Sequence, residues 1–228
     1  DRDFRKVFAL LMLTIPAHMP FVFVFVLFPK VWLRVISPDL EIGFIESLNP
    51  MIIVGGLILF APMVKRFNVY WILVVGMFLG GGSILLLAIP PDWTVGILGS
   101  DTSSAYMTMI YIQIVIFSAG EFLWSPQLMN YIATVAPKGK EGTFMGFARI
   151  PFTVAKLITS AASGFLLVHF CPEDIKAQIA AGNVDFFHTP WFMFLLLGMI
   201  ILSSPILLLV FKDKFYVDAK AKSETDHD

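Results

Sequence analysis

One cysteine, Cys171, stands in 228 residues, so there is no internal disulfide framework and no cysteine-built metal site. Next to an apolar run it reads as a small filler at a helix end. Charge is scarce too: 14% of the residues are charged and 57% are hydrophobic, a balance foreign to soluble globular domains. No basic face is available for phosphates, which argues against nucleic acid as a partner. HExxH, GxSxG, a P-loop and any His/Asp cluster are all missing, so nothing supplies an enzyme's nucleophile or metal, and no cofactor is expected. Neither a methionine nor a leader precedes the first apolar run, and the expectation is a processed product or a piece of something longer.

What the chain has is length of apolar sequence. Residues 7–28 are apolar apart from Thr14 and His18, enough to cross ~30 Å of hydrocarbon. Pro16 and Pro20 predict a distorted helix there. A wet stretch over residues 29–46 follows, with Trp32 expected at headgroup level. Further runs cover residues 47–64, 69–89, 106–135, 143–170 and 190–211. Residues 65–68 are too few for anything but a hairpin. Gly76 and Gly80 have the spacing that lets helix backbones approach closely. These runs predict an all-α membrane protein, with six transmembrane helices in one bundle over residues 1–211 and a polar cytoplasmic tail over 212–228.

The sidedness follows from charge. If the spans alternate, Arg2, Arg5, Lys6, Lys65, Arg66, Lys138, Lys140, Lys212, Lys214, Lys220 and Lys222 share one side, against Lys30, Arg34 and Lys176 on the other. By the positive-inside rule both termini are cytoplasmic. A plasma or inner cell membrane is the expected location, with an organelle membrane as the alternative.

Polar residues inside the spans are the candidates for function, because a carboxylate at membrane depth costs at least ~2.5 kcal/mol unless it is buried, paired, protonated or wet. Glu121 is such a residue, and Ser125-Pro126 one turn later predicts a kink. Counting 1.5 Å per residue from the helix ends puts His18, Glu121 and Lys156 near the midplane. Arg149 and Lys156 are seven apart, which places them on one helix face. They are expected to neutralise Glu121, either within a site or as an ion pair that staples two helices. His18 reads as a packing histidine or a proton relay. Asn49, Gln127 and Asn130 read as interhelical hydrogen-bonding groups, with substrate contact as the alternative.

Gly120-Glu121, Ser125-Pro126, Ala136-Pro137 and Met145-Gly146 together resemble the tenth and eleventh helices of the proton-dependent oligopeptide transporter family, a branch of the major facilitator superfamily. Asn49-Pro50 resembles the opening of that family's eighth helix. The resemblance implies the C-terminal half of a twelve-helix transporter whose halves are internal repeats. By the same resemblance, Glu121 would meet a peptide's amino group or a coupled proton, and Asn49 would sit near the other end of the substrate.

The transport reading gives Lys156 and Arg149 the task of compensating Glu121 or holding an anionic group, and lets the helix bend at Ser125-Pro126 during gating. Its partners are a small-molecule substrate, protons, membrane lipids and a second six-helix half in the same or another chain. The rival is a transport-inactive half-transporter that serves as a structural subunit. The cationic residues of the fifth run and the missing companion half favour that rival.

Overall fold

A computed structural model describes residues 2–64, 67–136 and 139–215. The Lys65-Arg66 turn, Pro137, Lys138 and the tail from residue 216 onward lie outside the described residues.

Prolines cut the first span into four helical pieces: α1 (Arg2–Leu13), α2 (Ile15–His18), α3 (Pro20–Val26) and α4 (Phe28–Val35). Pro16, Pro20 and Pro29 each occupy the first or second position of the next piece, where a missing N–H costs no helical bond and a fixed φ suits the new helix. The path bends by 52° between Val7–Leu13 and Ile15–Val26, so the expected distortion is found. The break is repaired from the far end of the chain. Ser204 Oγ accepts from the Ala17 N–H at 3.1 Å and donates to the Leu13 carbonyl at 2.7 Å. Thr14 Oγ1 donates to the Leu11 carbonyl, and His18 Nδ1 donates to the Thr14 carbonyl at 2.8 Å.

One expectation for this region is corrected. The stretch after residue 28 is helical through Val35 rather than wet, with Trp32 buried at 1% exposure. The reason is amphipathic packing: Phe28, Pro29, Val31 and Trp32 turn inward. Arg34 donates to the Cys171 carbonyl and meets Glu173 at 3.6 Å, while Lys176 Nζ donates to the Ile36 carbonyl. These bonds tie α4 to residues 171–176.

The remaining helices are α5 (Ile42–Val64), α6 (Val69–Leu86), α7 (Thr102–Val135), α8 (Glu141–Phe147), α9 (Ile150–Phe170), α10 (Ile175–Ala180), α11 (Pro190–Val210) and α12 (Lys212–Phe215). Their starts are written in the sequence. The Asp101 side chain accepts from the Ser104 N–H and Ser104 Oγ accepts from the Asp101 N–H, a reciprocal cap on α7. Hydrogen bonds from the Ser104 backbone hold the Asp101 carboxyl below its usual range. Asn68 accepts from the Tyr70 N–H at 2.9 Å to open α6, and Thr189 followed by Pro190 opens α11. Cys171 is fully buried as the residue ending α9.

Among the described residues, five helices are long and apolar enough to cross a membrane, or six when the bent first pair counts as one span. The chain is an all-α membrane protein with several spans.

Prolines in the later runs differ in outcome. α7 runs unbroken through Pro126, since one lost donor inside a helix packed by neighbours does not end it. The fifth run, expected to be continuous from residue 143, is instead split into α8 and α9 at Ala148-Arg149, just before Pro151. Arg149 therefore caps α9, and it does not share an unbroken helix face with Lys156.

α7 packs most extensively on α6, α6 on α11, α11 on α2, and α2 and α3 on α9, while α5 has α7 as its one substantial neighbour. The helices thus form an arc with α5 and α9 at its ends. Only 17% of the α5 span is buried, against 56% for α6. The α6–α7 contact is backbone on backbone: a Cβ on Gly120 would fall 2.5 Å from the Gly80 nitrogen and 2.6 Å from the Gly76 carbonyl oxygen. Apolar packing forms two clusters. One surrounds Phe28, Tyr106 and Phe194, the other Leu10, Tyr70 and Leu128, and Phe21 touches both.

Candidate functional site

Gly120 and Glu121 divide two tasks between neighbouring positions of α7. Gly120 lies flush on α6, which fixes the rotation of α7. One residue on, about 100° round the helix, Glu121 is half-buried on the side of α5. There the Asn49 side chain, 7% exposed, donates to Glu121 Oε2 at 3.0 Å and lies 3.0 Å from Ser118 Oγ. Ser118 donates in turn to the Ile114 carbonyl at 2.7 Å. A chain of hydrogen bonds therefore runs from the α7 backbone through Ser118 and Asn49 to a carboxylate oxygen.

Two readings change here. Asn49 was expected at the opposite end of a substrate from Glu121, but the two side chains touch, so a single ligand group would meet both. Neither Lys156 nor Arg149 forms an ion pair with Glu121 among the described residues. Both are exposed, because α9 buries its Pro151, Ala155, Thr159, Ser163 and Leu167 face. Glu121 has an amide as its partner where a base was expected.

On the other side of Glu121, Phe117 and Trp124 meet the broken span. Phe21 lies 6.0 Å from Phe117 and 5.7 Å from Trp124 between ring centroids, and His18 stands edge-on to Trp124 at 5.0 Å. Phe152 of α9 completes the group, 6.2 Å from His18 and 6.3 Å from Phe21. Lys156 follows one turn after Phe152. A carbonyl can only accept, so the bond to Thr14 fixes the proton on His18 Nδ1 and leaves Nε2 as the acceptor nitrogen.

Pro126, half-buried like Ser125, lines a groove of ≈ 580 Å³ between α5 and α7 with Gly56, Phe60, Phe122 and Gln127. Gln127 and Asn130 bond to each other at 3.1 Å along α7, rather than across helices as expected. No group of three or more metal-binding side chains forms among the described residues. Ser118 and the ring group of Phe21, Trp124 and Phe152 were not singled out from the sequence. The signal for Ser118 was its position three residues before Glu121, on the same helix face. Comparison with protein-family models, curated proteins and solved structures found no match.

Proposed function

We infer that the chain is one half of a secondary transporter of the proton-dependent oligopeptide type, moving a small organic solute with a coupled proton. The observation that carries this reading is the Asn49–Glu121–Ser118 constellation, a half-buried carboxylate in a membrane span with an amide donor and, among the described residues, no ion-pair partner. A carboxylate in that setting calls for a cationic group or a proton, and a substrate ammonium would supply both charge and hydrogen bonds. Asn49 would then orient Glu121 and offer its own carbonyl to the same ammonium. His18 Nε2 would accept a proton or a hydrogen bond beside the aromatic floor, and exposed Lys156 and Arg149 would attract an anionic end of the solute.

The arc supports this reading because its ends, α5 and α9, are left for a companion six-helix half to cover, as alternating access requires. The charge bias favours cytoplasmic termini. A second reading, a structural subunit without transport, draws on the apolar character of the floor, where Phe21, Phe117, Trp124 and Phe152 pack against one another.

Proton-driven uptake of a labelled dipeptide into liposomes, with the chain and its companion half present, separates the two. Uptake that needs the gradient and disappears in Glu121→Gln is the expected result. A folded wild type that moves none of a panel of small amines and peptides would leave the structural reading.

A further inference from the structure

Two of the four histidines meet where α9 ends and the chain enters α11. His169 lies in the last turn of α9, and His188 ends the single-turn 3-10 helix Phe186–His188 that leads into α11. Both are exposed, and their ring centroids are 5.4 Å apart with the planes at 55°. Neither belongs to the Glu121 constellation.

That separation has a chemical meaning. With a metal–nitrogen bond of 2.0–2.1 Å, the ion lies about 3.2 Å from each imidazole centroid, so two imidazoles on one tetrahedral ion have centroids about 5.2 Å apart. The observed 5.4 Å is close to this value. One ring is packed against neighbouring aromatics, and the other rises from a hydrogen-bonded turn. Phe165, one turn before His169, stacks on it nearly parallel at 5.6 Å and 7°, and Phe170 abuts its edge at 4.7 Å. On the other side, the His188 N–H is held by the Asp185 carbonyl at 2.9 Å, and the following Thr189 caps α11. The packed His169 ring and the fixed backbone under His188 reduce the freedom lost when an ion joins them.

We propose that His169 and His188 form a two-imidazole site for a divalent transition-metal ion of the zinc, nickel or copper class, with water filling the remaining positions. Imidazole suits these ions and not magnesium or calcium. Because the ligands come from different helices, the bound ion staples the end of α9 to the start of α11. Only the folded chain presents the pair, so binding stabilises the fold by mass action.

The test uses the full chain in detergent micelles or nanodiscs, with Zn²⁺ as the probe. Equilibrium dialysis should give one saturable Zn²⁺ per chain that excess Mg²⁺ does not displace. Zn²⁺ should raise the melting temperature, and EDTA should reverse the rise. His169→Ala and His188→Ala should each weaken Zn²⁺ by about tenfold or more, as loss of a chelating partner does, whereas His227→Ala should leave binding unchanged. Both alanine positions are exposed, so the variants should keep the wild-type melting temperature without metal. The proposal is overturned if either single variant binds Zn²⁺ as the wild type does. It is equally overturned if the wild type binds none, which would leave the two rings as aromatic packing.

Discussion

A single hydroxyl, on Ser204, satisfies two backbone groups at the break before Pro16. Membrane spans tolerate such breaks only where protein re-satisfies the freed groups. Ser204→Ala leaves the Ala17 N–H and the Leu13 carbonyl without that partner, and it should cost about 1–2 kcal/mol. A lower unfolding midpoint in micelles, with Ser204→Thr recovering most of the loss, is the expected outcome. An unchanged midpoint would mean that the break is held by packing alone.

At this scale Glu121 was legible in the sequence, because a lone carboxylate in an apolar run is conspicuous whatever surrounds it. Its partner was not. Complementary charge pointed to Lys156 and Arg149, but the choice depends on how each helix is rotated, and the buried small-residue face of α9 turns both of them outward. Asn49 carries no charge, so no sum of charges could have selected it.

Among the elements, the α6–α7 pair separates two glycines that the GxxxG spacing treats alike. A Cβ at Gly76 would come within 2.8 Å of the Gly120 carbonyl oxygen and of Trp124, whereas one at Gly80 meets nothing closer than 3.9 Å. Gly120→Ala drives a methyl into backbone atoms that cannot rotate away, at a cost of about 1–3 kcal/mol or more. Gly80→Ala should be tolerated. Parallel thermal melts of the two variants check this, and equal losses would mean that α6 and α7 can slide apart.

The prolines carry a similar lesson. Pro16, Pro20 and Pro29 each start a new helix, while Pro126 sits inside an unbroken one. Sequence identifies a missing donor, but whether the helix breaks there is decided by neighbouring helices. The number of apolar runs was therefore readable, but the split of the fifth run into α8 and α9 was not.

For the whole molecule, the arc of helices leaves α5 packed chiefly on α7 among the described residues. Met51, Ile58 and Leu59 are 67%, 72% and 70% exposed on it. A carbene reagent dissolved in the lipid phase should therefore label α5 more heavily than α6 in the isolated chain. If a companion half covers that edge, its binding should protect these α5 positions. Equal labelling of α5 and α6 would contradict the arc. Hydropathy made the spans readable, but the order of helices around the arc was not, since every span is apolar and no pattern of period 3.6 singles out a neighbour.

The Ser204 bolt also has a consequence for synthesis. It joins positions 187 residues apart, so the first span reaches the membrane long before the residue that completes it exists. At about 5–20 residues per second the ribosome needs roughly 10–40 s to cover that distance. Throughout that interval the nascent chain carries a break that Ser204 has not yet repaired, so its freed backbone groups need water or another polar partner until that residue arrives.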